Sequence, residues 1–244
     1  AYTNVGGKAP NVVQSEATLK YFIRSSTNPK TVKLVERVNN IAKGAALMTD
    51  TTLEIVFDEG LSNVVVNETI EKVLADSFRK CYNLTYTPEE LQYAQRFKDT
   101  LRPEELADEL WDTHTIDKDR LRDNVNHRPM NDYFVEKTHN DDTTMGSTDV
   151  GDISWVVPTG QFNTACYCIG TGGHSWQMVA QGKSSIAHKG MELAGEILFD
   201  AAKTFLHQPQ LIEDAWKEFE TRLGGETYHS LIPDDIKPHI SSAE

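Results

Sequence analysis

A stripe of apolar residues at helical spacing runs from about Ser184 to Leu206, with Ala187, Met191, Ala194, Ile197, Leu198, Ala201 and Phe205 on one face. An element that long and that one-sided has to lie against an apolar surface. Burying its larger side chains contributes roughly 2 kcal/mol each, enough to anchor it to a sheet. Gln208-Pro209 stops it, and another helix follows over about Leu211 to Leu223 before Gly224-Gly225.

Upstream, the period of the pattern changes repeatedly. Ala17, Leu19, Tyr21 and Ile23 alternate with Thr18, Lys20, Phe22 and Arg24, the period of two of a half-buried strand. After Pro29, the residues Val32, Val35, Val38, Ile41, Ala42 and Ala45 recur at helical spacing until Thr49-Asp50. Leu53, Ile55 and Phe57 then alternate as another strand. The opening Ala1-Tyr2-Thr3-Asn4-Val5 reads as mid-strand. Residues 1–66 thus read as three quarters of a split strand–helix–strand sandwich, as in an internal piece of something longer.

Residues 67–134 read as helical and acidic. Asn67-Glu68-Thr69, Thr87-Pro88-Glu89-Glu90 and Arg102-Pro103-Glu104-Glu105 each carry a helix start signal. The polar stretch 138–152 predicts a loop, and Ile153–Val157 and Phe162–Ile169 predict short strands.

Charge and composition exclude several function classes. Among 244 residues, 24 Lys and Arg face 37 Asp and Glu, a net −13 that argues against general binding to nucleic-acid phosphates. No apolar run approaches the ~20 residues that span a bilayer. With only Cys81, Cys166 and Cys168, a disulfide framework is not expected, and the reading is cytoplasmic.

Motifs thin the field further. Gly182-Lys183-Ser184 has Gln177 where a phosphate loop needs its leading Gly, and Gly170-Thr171-Gly172 lacks the third glycine of a dinucleotide fingerprint. Cys166 and Cys168 read as small buried strand residues with no second pair to complete a zinc site. Asp141, Asp142, Asp149 and Asp152 do not match a calcium loop and read as a polar loop. His174 is different, because it follows a glycine-rich turn that can display a side chain. One His cannot make a metal site by itself.

Six ordered segments together resemble one family: Gly6–Val13, Tyr21–Arg24, Gly44–Thr49, Gly146–Trp155, Gly170–Gln177 and His188–Met191. They look like the C-terminal half of the metal-dependent amidohydrolases related to aminoacylase and carboxypeptidase G, most like the aminobenzoyl-glutamate utilisation subgroup. The resemblance implies an α/β fold with an α+β lid. Residues 1–66 would be an incomplete ferredoxin-like lid and dimerisation domain, lacking its first strand and helix. Residues 67–244 would be the C-terminal part of a zinc-peptidase-like catalytic domain. It implies two zinc or manganese ions in the complete enzyme, a small-molecule amide substrate, a homodimer through the lid, and no nucleic acid or membrane partner. His174 matches the last metal ligand. Asn11, Arg24 and Thr171 match substrate-binding positions, where the planar fork of Arg24 suits a carboxylate.

The family's other metal ligands and its general base precede the lid, and no residue here corresponds to them. The chain alone is therefore expected to be inactive and not to retain the two metals. The alternative is a non-catalytic dimerisation or regulatory half-protein.

Overall fold

The computed structural model describes residues 1–110, 114–138, 143 and 146–237. The described residues are mostly helical with one small sheet, a mixed α/β class. Two compact units emerge. One holds Ala1–Val64 with the described parts of Met145–Asp152 and Tyr228–Glu244; the other holds the described parts of Val65–Thr144 and Ile153–Thr227.

In the first unit, β1 (Tyr2–Asn4) pairs antiparallel with β2 (Thr18–Leu19). The 22-residue α1 (Asn28–Thr49) begins with Pro29 in its first turn and ends at Asp50, whose left-handed backbone returns its N–H to the Ala46 carbonyl. Leu34, Val35, Val38 and Ala42 form its half-buried face, while Ile41 is exposed. Asn28 and Asn63 exchange reciprocal amide–side-chain hydrogen bonds at 3.2 Å. The Asp152 carboxylate accepts from the Ser62 hydroxyl at 2.6 Å and the Tyr228 hydroxyl at 3.1 Å.

The pairing is shorter than the alternation predicts. The ladder covers Thr18–Leu19 alone of the 17–24 run, and Leu53–Phe57 lies outside any strand. Alternation specifies two faces, but a ladder also needs a neighbouring backbone for its N–H and C=O groups. Among the described residues, none pairs with Leu53–Phe57.

The second unit is built on helices α2 (Glu68–Cys81), α3 (Pro88–Lys98), α4 (Pro103–Leu110), α5 (Lys118–His127), α7 (Trp176–Gln181), α8 (Ser185–His207) and α9 (Gln210–Leu223); the short α6 (Val150–Ser154) has Val150–Asp152 in the first unit and Ile153–Ser154 in the second. The expected strand Ile153–Val157 begins within α6 and continues in helical turns, with Val156 and Val157 both donating to the Ile153 carbonyl. Short apolar runs fit either period, so composition alone cannot separate the two. Phe162–Ile169 is irregular rather than a strand. The acidic positions Asp141 and Asp142 lie outside the described residues.

The core gathers on α8. Ile186, Ala187, Gly190, Leu193, Ile197 and Ala201 are buried, whereas Met191 and Leu198 of the expected stripe are 63% and 56% exposed. Val73 and Leu74 of α2 meet Ala201, and Phe78 packs with Leu193 and Ile197. The Phe134 ring lies 4.7 Å from that of Phe78, centroid to centroid. Among the described residues, no helix is long and apolar enough to cross a membrane.

Helix starts follow the side chains that the sequence places there. Thr87 and Glu90 form a reciprocal capping box, and Lys189 of α8 meets the Glu90 carboxylate at 2.6 Å. Asn67 caps α2 by accepting from the Ile70 N–H, and its own amide donates to the Ala215 carbonyl of α9 at 2.9 Å. Glu218 of α9 accepts from the Glu68 and Thr69 amides at 2.8 and 3.0 Å, from the Thr69 hydroxyl, and from Arg222. A carboxylate there satisfies free N–H groups and meets the positive end of α2.

Burial alone would raise the Glu218 carboxyl, but those hydrogen bonds outweigh it and lower it from 4.5 to about 2. A depressed carboxyl stabilises the fold above its unfolded value and loses that contribution as pH falls through the folded value. Glu218→Gln should therefore cost about 1–3 kcal/mol at neutral pH in urea unfolding. The gap from the native chain should narrow between pH 4.5 and about 2. A gap that stays constant over that window would refute the assignment.

Candidate functional site

The turn that displays His174 is assembled from the core outwards. Lys98, at the end of α3, is buried and sends its ammonium to the carbonyls of Val125 and Arg128, the latter at 2.6 Å. Burial pushes that ammonium below its ordinary value, while the two carbonyls take two of its three donors and close the end of α5. The next carbonyl, Pro129, accepts from the Ile169 N–H at 2.9 Å and so fixes where the glycine-rich turn begins.

Gly170 follows with φ +82°, and a Cβ there would sit 2.7 Å from Leu106 Cδ2 and 3.0 Å from Leu101 Cδ1. The positive φ favours glycine here, while the close atoms are the ends of two leucine side chains that would have to move aside for a Cβ. Thr171 is buried, its hydroxyl 3.1 Å from the Cys168 thiol. Ser175 then caps α7 by accepting from the Met178 N–H at 3.2 Å. Against α3, the Tyr93 hydroxyl donates to the Ala180 carbonyl at 3.2 Å, and the Phe97 ring meets Trp176 at 5.9 Å.

His174 stands exposed on this frame with φ +60°. Cys168 is buried, and burial pushes its thiol up, so it fills space rather than acting as a thiolate. Cys81, Cys166 and Cys168 are all free.

The other predicted residues are distributed as follows. Asn11 lies exposed in the turn between β1 and β2. Arg24 is exposed in the first unit, its guanidinium 5.6 Å from the Phe22 ring centroid. Thr171 and His174 share the turn of the second unit. A groove of about 580 Å³ between α2, α8 and α9 is lined by Lys72, Asp76, Lys80, Asp200 and Asp214 among others, and by none of these four.

Among the described residues, no group of three or more His, Cys, Asp or Glu side chains is placed to hold a metal ion. His174 supplies one imidazole, which falls short of a metal centre. The described residues therefore do not by themselves fit a resident ion.

Sequence reasoning missed Gln181, which the structure buries completely beneath the turn. A signal was present: Gln177 and Gln181 are four apart and therefore share one side of α7.

Comparison with curated proteins finds one of the subunits of the p-aminobenzoyl-glutamate hydrolase of Escherichia coli (strain K12), 33% identical over 245 residues. The match covers 98% of this chain and 50% of that protein, so the chain spans about half the length of its curated relative. No family model matches the chain. No solved structure matches it either.

Proposed function

We propose that these 244 residues are part of a metal-dependent amidohydrolase that splits an aminobenzoyl or N-acyl amide of an acidic amino acid, such as glutamate. The observation that carries this reading is the 33% identity to a hydrolase subunit along 98% of the chain. In this proposal His174 is one ligand of a zinc or manganese centre whose remaining donors lie outside the described residues. Asn11, Arg24 and Thr171 are substrate-binding residues in this proposal. The enzyme is a cytoplasmic homodimer, and these residues alone do not turn over substrate.

The test is hydrolysis of p-aminobenzoyl-glutamate by the full-length protein supplied with zinc or manganese. Water adds across the amide to give p-aminobenzoate and glutamate; the arylamine is free both before and after cleavage, so p-aminobenzoate is first separated from substrate by chromatography and then quantified. A panel of N-acyl amino acids run alongside maps the acyl preference. No cleavage of any of them with either metal would overturn the reading.

That the relative is named as a subunit motivates one other reading, a non-catalytic partner. Unchanged activity of the assembled protein after His174→Ala would favour it.

A further inference from the structure

We infer that Gln181 is a positioning residue that clamps the Cys168–His174 turn from the core and holds His174 outward on a left-handed backbone. The inference deepens the proposed function, and its catalytic meaning rests on that reading; the clamp itself rests on geometry.

The backbone at His174 is the first observation. Only Asp50 and His174 among the described non-glycine residues have positive φ, at 53° and 60°. Asp50 ends a helix, where a left-handed residue is ordinary. His174 ends no helix, and a left-handed backbone at a residue bearing a Cβ is uncommon. Gly172 and Gly173 impose nothing, since a Cβ on either would meet no atom within 4 Å.

The constraint comes from below. Gln181 is 0% exposed, and both ends of its amide are committed. Its Oε1 accepts from the Cys168 N–H at 2.9 Å. Its Nε2 donates to the Thr171 hydroxyl at 3.3 Å and to the Gln177 carbonyl at 3.1 Å. Flipping the amide would set NH₂ against the Cys168 N–H, so its orientation is fixed. The Thr171 N–H meanwhile donates to the Cys168 carbonyl at 3.2 Å. Cys168 and Thr171 tie down the start of the turn, α7 ties down its end, and Gln181 belongs to both. His174 lies in the span between the two ties.

The test compares Gln181→Leu with Gln177→Leu, which removes only a 3.4 Å brace to Thr100. Hydrogen exchange by mass spectrometry follows the peptide covering Cys168–Ser175 and a reference peptide within α8. Gln181→Leu should accelerate exchange in the turn by about tenfold while α8 changes by less than about threefold. Gln177→Leu should leave the turn unchanged. In the full-length protein, Gln181→Leu should lower kcat by about tenfold with little change in KM.

Equal acceleration in α8 and the turn would mean that Gln181 only stabilises the core, and would overturn the inference. Unchanged exchange in the turn would do the same. If the native full-length protein cleaves no amide, the function fails while the exchange data still decide the clamp. Should Gln181→Leu not fold, Thr171→Val removes the hydroxyl that Gln181 holds, and it must loosen the same peptide.

Discussion

Gly190→Ala is expected to destabilise the second unit by about 3 kcal/mol, because no side chain fits where α8 crosses the chain leading to the glycine-rich turn. A Cβ at this position would lie 2.6 Å from the Ala165 carbonyl oxygen and 2.6 Å from Cys166 Sγ. One of those atoms is backbone and cannot rotate aside, so either the helix or the 165–166 segment must shift. Both choices disturb packing, since Ala165 packs against two buried clusters, one containing Cys168 and Ile186 and the other Leu193 and Ile197. Gly195 on the same helix provides the control, because a Cβ there meets nothing within 4 Å. Gly195→Ala should gain up to about 1 kcal/mol from helix propensity alone. Urea unfolding of the two variants should move in opposite directions. A loss below about 0.5 kcal/mol at Gly190 would mean that the crossing is looser than its geometry.

His174→Ala should show the converse profile, with activity lost and stability kept. Under the proposed function the imidazole is one of few donors to the reacting centre. Losing a group that merely supports a ligand already costs about 10–100-fold, so removing a ligand should lower turnover by at least about 100-fold. Stability should change by less than about 0.5 kcal/mol, because the side chain is exposed. His174→Gly sharpens the contrast. Glycine accepts a φ of +60° without strain, so this variant should be more stable than His174→Ala by about 1 kcal/mol while equally inactive. Turnover of the full-length protein and thermal unfolding of each variant check both arms. Activity within about threefold of native in His174→Ala would remove the residue from the site.

The helices are legible because their signals are local. Asn67, the Thr87–Glu90 pair and Pro103 sit where α2, α3 and α4 begin, and Gln208-Pro209 marks the exit from α8. A cap needs only a side chain and an amide three residues away. Strands are not local, which is why Leu53–Phe57 carries a strand pattern and no ladder. The inward face of α8 departs from the expected stripe for another reason. Met191, Leu198, Phe199 and Leu206 give this helix a second apolar side, so its period fits more than one orientation. The packed side is the one carrying Gly190, where another segment comes too close for any Cβ.

The candidate site divides in the same way. A glycine-rich turn ending in His174 can be read directly from residue types, and so can an exposed turn at Asn11. The left-handed backbone at His174 and the Gln181 amide beneath it depend on how α7 folds back under the turn. Spacing places Gln177 and Gln181 together without saying what they meet.

The start of α2 is completed by side chains and a carbonyl from α9. Asn67 reaches Ala215, 148 residues further along the chain, and Glu218 receives the Glu68 and Thr69 amides across 150 and 149 residues. During synthesis at about 5–20 residues per second, the first helix of this unit waits on the order of ten seconds for its partner to be made. Throughout that interval its leading amides face water or a chaperone. A ribosome that stalls before Ala215 would release a unit whose first helix has no finished beginning.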